Sequence, residues 1–167
     1  MNNKKVRKLI FAAMLAALIT VATMVVKIPS PTNGYVNLGD CFVLLAGWLL
    51  GPWYGGAAAG IGSMLTDLLS GYAYYAPASF LIKGADAFLA ALLYRSLNQR
   101  RGALLLSGII GELLMTAGYF GYSALLLGKG LTAALSVPGN LIQGAIGITV
   151  AILLMHLAKR AHLLKKL

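Results

Sequence analysis

Residues 63–86 read SMLTDLLSGYAYYAPASFLIKGAD. An apolar helical run ends near Ser70, a turn covers Gly71–Ala76, and Pro77 stands where a second helix opens, a position proline suits. Asp67, Lys83 and Asp86 lie inside these two greasy runs, with Tyr72, Tyr74 and Tyr75 between them. A charge at the middle of a membrane helix costs about 2.5–3.5 kcal/mol on insertion scales. Together with Glu112, these residues would cost roughly 10–14 kcal/mol if left unpaired. They must therefore pair with one another or line a wet cavity.

The rest of the chain explains why a membrane is the right frame. Of 167 residues, 59% are hydrophobic and 11% charged, against about 45–50% and about 25% in a soluble domain. The net charge of +10 does not point to nucleic acid, because of where it falls. Lys4, Lys5, Arg7 and Lys8 precede the first apolar run; Arg95, Arg100 and Arg101 share one gap; Lys159, Arg160, Lys165 and Lys166 close the sequence. Eleven of the fourteen basic residues thus sit in three clusters, the pattern of cytoplasmic loops beside an anionic leaflet.

Six helices are expected, at about Leu9–Val26, Leu38–Leu50, Trp53–Ser70, Pro77–Leu97, Ala103–Leu127 and Ala133–Leu157, with both termini cytoplasmic and residues 1–167 forming one all-α membrane domain. The first run, of about 18 residues, exceeds a signal-peptide core of about 7–15, so it reads as a retained helix. KIPSPTNGYVN (27–37) makes a long outer loop, since Pro29, Pro31 and Gly34 disfavour helix. Gly51-Pro52 makes a tight turn. The second helix is short for a span of about 20 residues. Small residues recur at helical spacing: Ala12/Ala16, Ala13/Ala17, Gly47/Gly51, Gly56/Gly60 and Gly144/Gly147. In lipid such faces let helices approach closely; the alanines also offer a ridge for another membrane subunit.

Two sets of polar residues converge on the outer half. Asp40 opens helix 2 and Asp67 nears the end of helix 3. At 1.5 Å per residue, Lys83 lies about 9 Å and Asp86 about 13 Å into helix 4. Lys83 and Asp86, three apart, can touch. Asp67, Lys83 and Asp86 are read as a structural charge network, with Asp40 and Lys83 also open to contact a polar ligand. The second set comprises Tyr35, Asn37, Tyr72, Tyr75, Tyr119, Tyr122, Asn140 and Gln143. Interfacial tyrosines are often anchors, but amides inside a span need partners. The combination describes aromatic walls with a few polar groups, suited to a small flat ring.

No motif specifies an enzyme, a cofactor or a metal, and no catalytic residue is assigned. GYSALLLGKG (121–130) departs from a phosphate-binding loop at its first glycine and its last hydroxyl position. His156 and His162 lack nearby ligands. Ser63 has no histidine at matching depth. Cys41 reads as a small apolar filler.

YVNLGDCFVLLAGWLLGP (35–52), AGIGSMLTDLLSGYAYYAPASFLIKG (59–84) and the alanine-rich first helix resemble the substrate-binding S component of an energy-coupling factor (ECF) vitamin transporter. The order carries the resemblance: G-D opening helix 2, G-P at the next turn, S-x-L-x-D-L-x-x-G-Y leaving helix 3, and I-K-G in helix 4. It implies high-affinity binding of one vitamin from outside and location in the bacterial plasma membrane. It implies docking through Ala12, Ala13, Ala16 and Ala17 on a transmembrane coupling subunit with two ATP-binding subunits, and a lid at about Lys27–Asn37. Few arginines argue against a strongly anionic cargo. A vitamin B6 form is expected, with riboflavin or hydroxymethylpyrimidine, a thiamine precursor, as alternatives. A solitary carrier or a structural subunit of a membrane complex is the rival of another class.

Overall fold

The computed structural model describes residues 3–29 and 35–160. Among them are six α-helices: α1 (Asn3–Val25), α2 (Gly39–Leu50), α3 (Pro52–Leu69), α4 (Ala76–Ser96), α5 (Arg101–Gly121) and α6 (Val137–Arg160). Where a long loop was expected after the first helix, strands β1 (Lys27–Pro29) and β2 (Tyr35–Asn37) pair antiparallel, with Ile28 opposite Val36. The part of the expected lid at residues 30–34, and the basic tail at 161–167 with His162, lie outside the described residues.

Helix α2 is the centre. Ten of its twelve residues are buried, and it packs on α1, α3, α4 and α6. Its shortness is therefore that of a helix enclosed by others. Gly51 ends α2 and opens α3 at φ 86°, a left-handed conformation that favours glycine, and Pro52 follows at the first position of α3. Helices α1, α3 and α4 are pressed together at their glycines. A Cβ on Gly62 would lie 2.6 Å from the Ala16 carbonyl oxygen, and one on Gly60 would lie 2.7 Å from that of Phe80. Thr20 bridges the first contact, donating to the carbonyls of Ala16 and Gly62 at 3.0 and 2.9 Å. Trp48 ties α2 to α5 by donating to Ser107 at 3.0 Å.

Among the described residues, four helical stretches are long and apolar enough to cross a membrane: Lys4–Val25, Ala76–Ser96, Gly102–Leu126 and Gly130–Arg160. Helix α5 loses α-geometry sooner than expected, in a π-turn at Tyr122–Leu126, and a 3-10 segment at Gly130–Ser136 leads into α6. Gly128 between them and Gly130 at the start of the 3-10 segment both have positive φ, so the chain reverses tightly there. The ends of the bundle differ. One carries the hairpin, Tyr72–Tyr75 and Lys129. The other carries Arg95 and Arg100, with Lys159 donating to Tyr94 at 3.1 Å.

The alanine ridge divides. Ala12 and Ala16 are buried, whereas Ala13 and Ala17 are exposed. The reason is periodicity: positions one apart on a helix are about 100° apart, so only one of the two overlapping pairs can face α3. Ala12 and Ala16 are thus internal packing residues here, which corrects the expectation that all four alanines are open to another subunit.

Candidate functional site

A cavity of about 90 Å³ opens at the hairpin end. Of the residues expected to contact a ligand, Asn37, Asp40, Tyr72, Tyr75, Lys83, Tyr119, Asn140 and Gln143 line it. Tyr122 is not among them. Tyr122 turns its hydroxyl to the Tyr74 carbonyl and packs on the Tyr75 ring with centroids 5.6 Å apart, so it backs the aromatic wall. The side chain of Tyr35 lies outside the described residues.

The floor is an ion pair that joins two helices. Lys83 of α4 donates to Asp40 Oδ1 of α2, and both side chains are almost wholly buried. The expected Asp67–Lys83–Asp86 network is corrected in this respect: the ion-pair partner of Lys83 is Asp40. The first turn of α2 suits a carboxylate, because it offers the positive end of the helix dipole. Space for Asp40 comes from Gly147 of α6, where a Cβ would lie 2.8 Å from that of Asp40. Gln143, one turn before Gly147, donates to Asp40 Oδ2 at 2.6 Å. Its own carbonyl accepts from the Asn37 backbone at 2.9 Å and side chain at 3.1 Å. Asp67 is buried and lines the cavity from α3.

Asp86 and Glu112 lie deeper, fully buried between α4, α5 and α6. A Cβ on Gly144 would lie 2.9 Å from that of Glu112. Neither acid makes a hydrogen bond of normal geometry among the described residues. Both lie within electrostatic reach of Lys83 and Asp40, while the ion pair of Lys83 is made with Asp40. Glu112, which the sequence left without a role, belongs to this buried group.

The walls are aromatic and held by hydroxyl contacts. Tyr119 and Ser79 hydrogen-bond at 2.7 Å, and Tyr75 and Ser123 at 2.9 Å. The Lys83 ammonium stands 5.7 Å from the Tyr119 ring centroid, and Lys129 stands 5.8 Å from that of Tyr75. The cavity thus combines ring faces for stacking with hydroxyl, amide and charged groups at its edges.

Sequence reasoning missed Thr23, Ser63, Ser79, Ser123, Lys129, Ala133 and Ser136, which also line the cavity. Helical spacing offered a signal for several. Ser79 precedes Lys83 by four residues on α4, and Ser63 precedes Asp67 by four on α3. Asn140 and Gln143 fall on one face of α6, and Ser136, four residues before Asn140, ends the 3-10 segment that leads into it. Residues four apart share a helix face.

An apolar bundle with a polar, aromatic-walled cavity at one end defines a membrane protein that binds a small solute. A family model described as "ECF-type riboflavin transporter, S component" matches residues 3–160, and the chain belongs to this family of ECF S components. It is accordingly a multi-pass protein of the bacterial plasma membrane that serves vitamin uptake with an ECF module. The thiamine precursor transporter HmpT of Lactococcus lactis subsp. cremoris is 30% identical over 98% of this chain and 95% of its own length. An uncharacterised protein of Pyrococcus woesei is 34% identical over 79% of this chain and 88% of its own. Among solved structures, the S component of a bacterial ECF transporter superposes with a TM-score of 0.69 and 26% identity, covering 94% of this chain and 98% of that one. An S component for biotin superposes at 0.65 with 22% identity, covering 93% and 94%, a likeness of fold. The expectation of a vitamin B6 form draws no support from these relatives.

Proposed function

We propose that the chain captures a single-ring vitamin precursor, with hydroxymethylpyrimidine as the leading candidate. The cavity volume carries this reading. About 90 Å³ is well below the ~300–1,000 Å³ of pockets for drug-sized ligands, which suits one aromatic ring better than the three fused rings of riboflavin. An aminopyrimidine offers a flat face to Tyr75 and Tyr119 and an amine donor beside a ring acceptor. Asp67 and Asn140 in the cavity lining supply the matching acceptor and amide. The full-length similarity to a thiamine precursor transporter supports the same choice. A vitamin B6 form is the second reading, favoured by one observation: the Lys83 ammonium beside the Tyr119 ring complements the phenolic oxygen of a hydroxypyridine.

In this reading residues 1–167 form one domain with six crossings, and both basic termini lie in the cytoplasm, because the positive-inside rule puts all three basic clusters there. The cavity opens outward. The partners are a transmembrane coupling subunit and two ATP-binding subunits. Ala13 and Ala17, the exposed half of the α1 ridge, provide the small-residue face for the coupling subunit. Calorimetric titration tests the substrate choice. Hydroxymethylpyrimidine is expected to bind more tightly than pyridoxine, and riboflavin more weakly than both. Tighter binding of riboflavin overturns the single-ring reading.

A further inference from the structure

Gln143 was expected to touch the ligand, but three of its four hydrogen-bonding positions are committed elsewhere. A side-chain amide has two acceptor positions on oxygen and two N–H donors. Both acceptor positions of Gln143 are taken by Asn37, through its backbone and side-chain N–H groups. One donor is spent on Asp40 Oδ2. The orientation of the amide is forced, since Asn37 presents a backbone donor and Asp40 a carboxylate oxygen. Asn37 is itself fixed, because its Oδ1 accepts from the Gly39 backbone at 2.8 Å. Asp40 completes the chain through its other oxygen, which holds Lys83. Asn37, Asp40, Lys83 and Gln143 are all at least nine-tenths buried, so water does not compete freely for these bonds.

We infer that Gln143 is a positioning residue rather than a ligand contact: it fastens the return strand β2 of the hairpin to the Asp40–Lys83 pair, so that one wall of the cavity and its charged floor are set as a unit. The inference rests on the single-ring vitamin reading for its binding arm alone. Strand β2 ends at Asn37, two residues before α2 begins, and Gln143 approaches from α6, a helix remote in sequence. One side chain therefore joins the hairpin, α2, α6 and, through Asp40, α4. Loss of Gln143 is expected to loosen the wall and to leave Lys83 less well aimed, which affects every ligand alike.

The test uses the full chain in nanodiscs. Hydrogen exchange of residues 35–41 is followed without ligand in the wild type, Gln143→Leu and Asn37→Ala. The second variant sits on the hairpin and leaves the α6 helix intact. Both are expected to speed exchange in this stretch about tenfold, with α3 and α4 unchanged. Unchanged exchange at 35–41 overturns the tether, whether or not any ligand binds. Hydroxymethylpyrimidine and analogues lacking its amine or its hydroxyl are then titrated. A positioning role is expected to weaken all three by the same factor, with most of the loss read as faster dissociation. A loss confined to one analogue pair would make Gln143 a ligand contact and overturn the inference. Failure of the wild type to bind any of the three would sink the pyrimidine reading and leave the tether to the exchange result.

Discussion

Replacing Lys83 with Met is the most informative perturbation of the bundle. The substitution keeps length and apolar bulk but removes the ammonium paired with Asp40, and both partners are buried. Breaking a buried pair by removing one partner costs about 3–5 kcal/mol, because the other charge is left uncompensated. The geometry adds an asymmetry. Lys83 is within reach of Asp86 and Glu112 as well as Asp40, so Asp40→Asn leaves the ammonium with acidic neighbours. Lys83→Met leaves the Asp40 carboxylate buried without its counter-ion, beside two further buried acids. Lys83→Met is therefore expected to cost about 3–5 kcal/mol, and Asp40→Asn clearly less. The double variant is expected to recover at least about 1 kcal/mol relative to the sum, as contacting residues in one network do. Reversible unfolding in mixed micelles, read by circular dichroism, measures all three. Equal costs for the two single variants would refute an influence of Asp86 and Glu112 on Lys83, and strict additivity would refute the Asp40–Lys83 pair itself.

Three further outcomes follow from the packing. Gly62→Ala drives a methyl group to 2.6 Å from the Ala16 carbonyl and is expected to destabilise by about 1–3 kcal/mol, measured in the same unfolding assay. Trp48→Phe removes the donor to Ser107 inside the core and is expected to cost about 1 kcal/mol without changing ligand affinity. Ala17→Leu is expected to leave thermal stability unchanged but to abolish co-purification with the coupling subunit. Ala12→Leu, at a buried position, is expected to lower stability instead. A reversed pattern between these two alanines would show that the exposed side of α1 is not the docking side.

Much of this architecture is written in local signals. The Gly51-Pro52 punctuation, the proline opening α4 and the basic clusters set the helix order, because each acts through backbone geometry or interfacial charge within a few residues. The hairpin was harder to see. Three-residue strands carry little periodicity, and proline and glycine there read equally well as loop. The early end of α5 was also hidden, since Tyr122–Leu126 is as apolar as the helix before it. At the site, residue types and depth brought Asp40, Lys83, Asn37 and Gln143 to the same region. The pairing did not follow from them. Asp67 and Asp40 both lie at a depth Lys83 can reach, and the choice depends on Gly147 making room for Asp40 on a helix over a hundred residues away. The division of the α1 alanines was likewise set by tertiary contact, since it turns on which face meets Gly62.

The central claim is that the cavity at the hairpin end holds a single-ring vitamin precursor. Its most direct measurement is to purify the protein in mild detergent from cells grown in rich medium, denature it, and identify the released small molecule by mass spectrometry. Hydroxymethylpyrimidine in near-stoichiometric amount is the expected result. Release of riboflavin in that amount would contradict it, since the wall and floor would then have to enclose a ring system about three times as large.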